Sequence, residues 1–152
     1  MATPKQYTAE DLLVRPQQYP NDPGLVLEVT PESAGWDYIS FQVRRLRQGE
    51  SWSFSSGENE LALINLTGSF AVNSNRGEWS KIGGRESVFE AAAHALYLPR
   101  RSTFTVTALD DCEFAVTWTP THGAPLDSST TRNGCCTACP NGRGLTIIPS
   151  RG

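Results

Sequence analysis

The chain has 152 residues, a formal net charge of −3 from 13 Lys and Arg against 16 Asp and Glu, and 38% hydrophobic residues. A chain of this length buries one core of ordinary size and not two, and its weakly acidic balance excludes the basic field that draws a protein onto nucleic acid or anionic lipid. Met1 to Glu10 holds no signal-peptide core and no apolar stretch reaches membrane-spanning length, so a soluble cytoplasmic protein is expected. The 13 glycines and 10 prolines favour many turns over long helices, and with them an all-β fold.

In chain order, residues 1–21 are polar apart from Leu12, Leu13 and Val14 and read as an arm or a loosely packed first strand. Leu25 to Val29 is a short apolar run closed by Thr30-Pro31-Glu32, where Thr can cap and Pro can open a single helical turn. Ile39, Phe41 and Val43 alternate with Ser40, Gln42 and Arg44, which predicts a strand whose polar set forms one wet face. After a turn at Gly49, Trp52 and Phe54 alternate again. Leu61 to Leu66, broken only by Asn65, predicts a strand buried on both sides, with Gly68 turning it into Phe70-Ala71-Val72. Asn73 to Arg85 reads as a loop or hairpin whose sharpest break is Gly83-Gly84. Val88-Phe89 and Ala95 to Leu98 read as two short strands, the second stopped by Pro99. Phe104, Val106 and Ala108 alternate with threonines. Beyond Asp110-Asp111, Cys112, Phe114, Val116 and Trp118 alternate in turn, so these two runs read as a hairpin. Short strands, short turns and no competing helical period predict a sandwich or small barrel over residues 22–120.

Several blocks, Pro31-Glu32-Ser33-Ala34-Gly35-Trp36, Gly83-Gly84-Arg85 with Ser87-Val88-Phe89-Glu90, Tyr97-Leu98-Pro99 and Val106-Thr107-Ala108, resemble the N-terminal half of the 5-deoxy-glucuronate isomerase family (IolB type). The resemblance spans roughly Leu12 to Pro120, and Glu60 to Gly68 looks like the family's central strand and turn. It implies a cupin-like β-barrel (jelly roll). It also implies an aldose–ketose isomerase, an intramolecular oxidoreductase of inositol catabolism that converts 5-deoxy-glucuronate to 2-deoxy-5-keto-gluconate. The divalent metal of such enzymes is implied in a second, C-terminal cupin, which is expected to be missing here. The chain is therefore expected to be the scaffold half of that carbohydrate-metabolism enzyme, truncated and inactive alone, with no cofactor of its own. The sugar acid is expected as a partner of the full-length protein only, and an exposed cupin surface is expected to promote self-association. The alternative from another class is a non-catalytic cupin module that binds a small ligand or a protein partner.

No catalytic, cofactor-binding or metal-ligating residue is expected. A metal-binding cupin places two histidines one residue apart on one strand, a carboxylate a few residues on and a third histidine on a later strand. Counted from Gly49 to Gly68, the first three slots fall on Ser55, Gly57 and Leu61; counted from Pro99, the last falls on Phe104, a ring expected to fill the barrel. His94, expected in a loop, and His122 lie outside these slots. Glu32, Glu58, Glu60, Glu78, Glu86 and Glu90 show no spacing that singles out an acid/base pair, and Gly83-Gly84-Arg85 reads as a turn with an adjacent charge, not a phosphate cradle. Trp36 and Trp79 read as covers of the barrel ends, with stacking on a sugar as the other reading. Over residues 121–152 the pattern and the resemblance both stop. Cys136-x-x-Cys139, preceded by Cys135, allows half a zinc site beside His122, a redox pair, or unselected sequence after a shifted reading frame. The polar composition of this tail predicts disorder and no contribution to folding.

Overall fold

The computed structural model describes residues 7–121 and the backbone of residues 146–148. Its elements are α1 (Ala9–Leu12), β1 (Leu25–Val29), α2 (Pro31–Ala34), β2 (Ser40–Leu46), β3 (Ser51–Ser55), β4 (Asn59–Ser74), β5 (Gly77–Arg85), β6 (His94–Leu98), β7 (Thr103–Ala108), β8 (Cys112–Pro120) and β9 (Thr146–Ile148). The arm carries α1, one exposed turn of helix boxed between Thr8 and Asp11. The turn expected after β1 is α2: Thr30 Oγ1 accepts the Ser33 N–H at 3.2 Å, Pro31 opens it and Gly35, at φ 72°, closes it.

The strands form two sheets that share β4. One runs β1-β2-β8-β4-β6-β9 and the other β3-β7-β4-β5. Asn59 to Thr67 pair with β8, with β6 on the other side, whereas Gly68 to Ser74 pair with β5 and β7. Gly68 is therefore a bend within one long strand and not a turn between two. Its φ is 65°, and a Cβ there would run into the Asp111 carbonyl and approach Asp110 Oδ1 to 2.6 Å. Asp110 clasps the bend from outside, accepting from the Ser69 N–H at 2.6 Å and the Ser69 hydroxyl at 2.7 Å. This explains why β7 and β8, expected as a hairpin, do not pair: each joins the half of β4 that lies in its own sheet, and the link between them crosses over. Gly83 and Gly84, expected at a break, lie inside β5, and Val88-Phe89 forms no strand but part of an exposed turn over residues 86–91.

The inward face of β2 is the opposite of the one its apolar residues suggest. Ser40, Gln42, Arg44 and Leu46 are buried, while Phe41 and Val43 sit half-buried on the outer face and Ile39 is exposed. The register with β8 decides this, pairing Ser40 with Trp118, Gln42 with Val116, Arg44 with Phe114 and Leu46 with Cys112. Paired residues share a face, so shifting β2 by one position would oppose the inward aromatic row of β8 with the wrong set. Leu61, Leu63, Phe70, Val72, Ile82 and Leu96 complete the core with Leu98, Phe104, Val106, Phe114 and Val116. Phe114 has no exposed surface, and cutting such a ring back to alanine costs about 3–5 kcal/mol.

Within the segment assigned to the tail, β9 adds to the edge of the first sheet, parallel to β6, from His94 opposite Thr146 to Leu96 opposite Ile148. His122, Cys135, Cys136 and Cys139 lie outside the described residues.

Candidate functional site

The interior of the barrel is where a cupin would gather its ligands. β3 turns Trp52 and Phe54 inward, while Ser51, Ser53 and Ser55 face out. Ser55 is exposed, and Gly57 sits at φ 55° in the turn that follows, so neither occupies the slot that counting from Gly49 assigns to it. The count fails because β3 ends at Ser55 and its inward parity is even. Leu61 and Phe104 do lie inside, 2% and 3% exposed. Around them the rings of Trp52 and Phe54 stack at 5.3 Å, Trp52 meets Phe104 edge-on at 5.8 Å, and Phe54 meets Trp118 at 5.6 Å. Phe114 joins this layer to Phe70 at 5.1 Å. An indole N–H only donates and a phenyl ring has no lone pair, so these inward positions do not fit a divalent cation, which needs nitrogen, oxygen or sulfur donors.

Trp52 also carries the one guanidinium inside the barrel among the described residues. Arg44 lies 4.3 Å from the ring centroid, with its side chain 3% exposed. Its Nη2 donates to both carboxylate oxygens of Asp22, at 2.5 and 2.6 Å, and its Nη1 to Gln42 Oε1 at 3.1 Å. Gln42 Nε2 in turn donates to Glu28 Oε1 at 2.6 Å. This chain of four side chains ties β1 and the segment before it to β2. Sequence reasoning misses all four because polar alternation is ordinarily assigned to water. The available signal is Leu46, which continues the phase of Ser40, Gln42 and Arg44 with an apolar residue.

The six glutamates are not brought together. Glu58 pairs with Arg101 at 2.8 Å and Arg100 at 3.4 Å, and chiefly the hydrogen bond from Arg101 holds its carboxyl below the ordinary 4.5. Glu78 accepts from Asn73 at 2.9 Å, Glu90 accepts the Glu86 N–H at 2.8 Å, and Glu32 is exposed on α2. Glu60 lies beside Tyr97, whose phenol is pushed up to about 12 by burial first and by the Glu60 charge second. Among the described residues no three His, Cys, Asp or Glu side chains gather as metal ligands would. Trp36 is half-exposed, its indole N–H donating to the Ile39 carbonyl at 2.6 Å, whereas Trp79 packs against the core.

His94 opens β6 instead of lying in a loop, and its Nδ1 accepts the Gly83 N–H at 3.0 Å. Beside it, Arg85 donates to the carbonyls of Leu66, Asn65 and Ala91 at 2.9, 2.5 and 2.8 Å, stitching the turn after β5 to the bend of β4. Gly83 is required here: at φ 91°, a Cβ would collide with the Asn65 amide.

Residues 12–144 match the KduI/IolB family. The chain belongs to that family. The match continues past Pro120, where the recognisable pattern stops. The 5-deoxy-glucuronate isomerase of Geobacillus kaustophilus is 35% identical over 112 residues, 73% of this chain and 41% of that protein. That of Geobacillus thermodenitrificans is 37% identical over 105 residues, 68% of this chain and 38% of that protein. A solved IolB-like protein from Salmonella typhimurium LT2, 34% identical, superposes with a TM-score of 0.64 over 71% of this chain and 41% of that one. A structure described as a predicted oxalate decarboxylase from Thermotoga maritima shares the fold alone, with 12% identity and a TM-score of 0.52 over 73% of this chain and 96% of that one. The KduI/IolB chain is thus a cupin barrel whose matched curated relatives are named 5-deoxy-glucuronate isomerases, and it spans about two fifths of their length. No helix among its described residues is long and apolar enough to cross a membrane.

Proposed function

We propose that this chain is the scaffold cupin of a cytoplasmic isomerase that converts 5-deoxy-glucuronate to 2-deoxy-5-keto-gluconate in inositol catabolism, and that the catalytic metal belongs to a different cupin. The aromatic filling of the barrel carries this reading. Moving a carbonyl along a sugar acid requires a base at the proton beside that carbonyl and a cation or acid at the oxygens of the resulting enediol. Trp52, Phe54, Leu61 and Phe104, at the positions that would converge on such a substrate, supply neither. What remains is support. The outer face of the first sheet presents Leu27, Val29, Phe41, Val43 and Ile64, all half-buried and all on one side by register, as a surface for a second cupin or a second copy of the chain.

The test is to incubate the purified chain with 5-deoxy-glucuronate and Mn²⁺ or Zn²⁺, follow the product by NMR, and measure bound metal by elemental analysis. No turnover and no stoichiometric metal is the expected result. Turnover with one metal per chain would overturn the reading. Light scattering adds a second arm: association is expected, and a monomer stable at high concentration would favour a stand-alone binding module.

A further inference from the structure

The cavity under the turn between β5 and β6 lies apart from the aromatic interior and takes no part in the reading above. It measures about 460 Å³ and is lined by Asn65, Gly84, Arg85, Glu90, Ala91 and His94 among others. Ligand pockets run from roughly 300 to 1,000 Å³, so a molecule of monosaccharide size fits. Its floor is formed by the wholly buried Asn65 amide, which donates to the carbonyls of Thr67 and Gly68 at 3.2 and 2.9 Å.

The functional groups on its walls have fixed roles. His94 Nδ1 accepts the Gly83 N–H, so in the neutral ring Nε2 carries the proton and donates. Arg85 spends one N–H on each of three carbonyls, which leaves two of its five, and among the described residues no carboxylate stands within ion-pair distance of it. Glu90 uses Oε2 for the Glu86 N–H and keeps Oε1. The cavity thus offers N–H donors, a carboxylate acceptor and two opposite charges that cancel. A carboxylate ligand would meet Glu90 and an ammonium would meet Arg85. A vicinal diol suits both, since each hydroxyl can donate to the carboxylate while accepting from the guanidinium or the imidazole.

We propose that this cavity binds a small, uncharged, polyhydroxylated ligand of monosaccharide size. The inference stands independently of the isomerase reading. The test titrates the isotope-labelled 152-residue chain with D-glucose, with D-glucuronate as the anionic comparison and D-glucosamine as the cationic one. Glucose is expected to shift the Gly84 and Glu90 amides and the His94 ring, with a dissociation constant on the order of 1–10 mM. E90Q and H94A should each weaken this by about fivefold or more, a loss of roughly 1 kcal/mol, with the rest of the amide spectrum in place. Arg85 is left intact because it holds the turn. E90Q keeps the bond to the Glu86 N–H and so decides the matter if H94A misfolds. Glucose shifts absent at about 100 mM or confined to other residues, undiminished affinity in E90Q, or tighter binding of either charged sugar would overturn the proposal.

Discussion

Deleting Asp22 should cost more stability than deleting Arg44, although either change removes the same ion pair. The two partners are unequally buried, with side chains 43% and 3% exposed respectively. D22A strands a guanidinium inside the barrel with Gln42 Oε1 as its remaining side-chain acceptor. Breaking a buried pair in this way costs about 3–5 kcal/mol, but the half-open position of Asp22 lets water reach the vacated Nη2, which lowers the figure to about 2–3 kcal/mol. R44M instead keeps an unbranched side chain over Trp52 and returns Asp22 to water. It forfeits a cation–π contact worth roughly 0.5–2 kcal/mol, and it also removes the cost of desolvating the guanidinium, for a net loss of about 0–1 kcal/mol. Urea unfolding followed by circular dichroism separates the two. With a slope of about 1.5 kcal/mol per molar, D22A should lower the midpoint by roughly 1.3–2 M and R44M by less than about 0.7 M. The double variant should resemble R44M, because Asp22 has no further work once the guanidinium is gone. An R44M variant as unstable as D22A would refute the argument that burial sets the asymmetry.

Burial first, and then the charge of Asp110, push the Cys112 thiol up to about 11, so at pH 8 the thiolate fraction is on the order of 10⁻³. With Cys135, Cys136 and Cys139 replaced by serine, a thiol reagent should reach Cys112 only as the protein unfolds; modification at the rate of an exposed cysteine would contradict its placement. Glu58 has a folded pKa below its ordinary 4.5, so its contribution to stability is full above that value and is lost as pH falls through the lowered one. E58Q should flatten the stability curve on the acid side of about pH 4.5 and leave its shape from about pH 5 to 8 alone, and an unchanged acid limb would show that the pairing with Arg101 has no energetic weight in solution. Ending the chain after Thr121 removes β9 from the edge of β6. An edge pairing of three residues contributes about 1 kcal/mol or less, so the thermal midpoint should move by less than about 4 °C, and a larger drop would assign residues 122–152 a structural role.

The barrel was legible in the sequence because its inner rows are written in period two: Phe104, Val106 and Ala108, then Cys112, Phe114, Val116 and Trp118, all face inward or pack on the core. The cap at Thr30 was legible for a similar reason, being a local contact between residues three apart. Phase and pairing were not. β2 could satisfy its alternation with either face inward, and the tie was broken by a strand some seventy residues later, together with an aspartate at position 22 that makes a buried Arg44 tolerable. Of the counted lumen positions, Leu61 and Phe104 do lie inside, whereas Ser55 and Gly57 do not, since a spacing count carries no information on where β3 ends. The cavity beside His94 depends on Arg85 reaching three carbonyls from two separate segments, which no local pattern encodes.

Because β4 is a member of both sheets, neither sheet owns a complete set of strands. Opening the first sheet strips half of β4 of its partners and frees the bend at Gly68 from the Asp110 clasp, which leaves the second sheet with an anchor that is no longer fixed at one end. The two layers should therefore behave as a single cooperative unit. Backbone amides of Leu63 and Val72, on opposite sides of the bend, should exchange their hydrogens through the same global opening and share one free energy of protection. Folding bears the matching burden: β4 pairs with β8 only when much of the intervening chain has been ordered, so closure of the barrel is set by contacts distant in sequence and should be slow for a domain of this size.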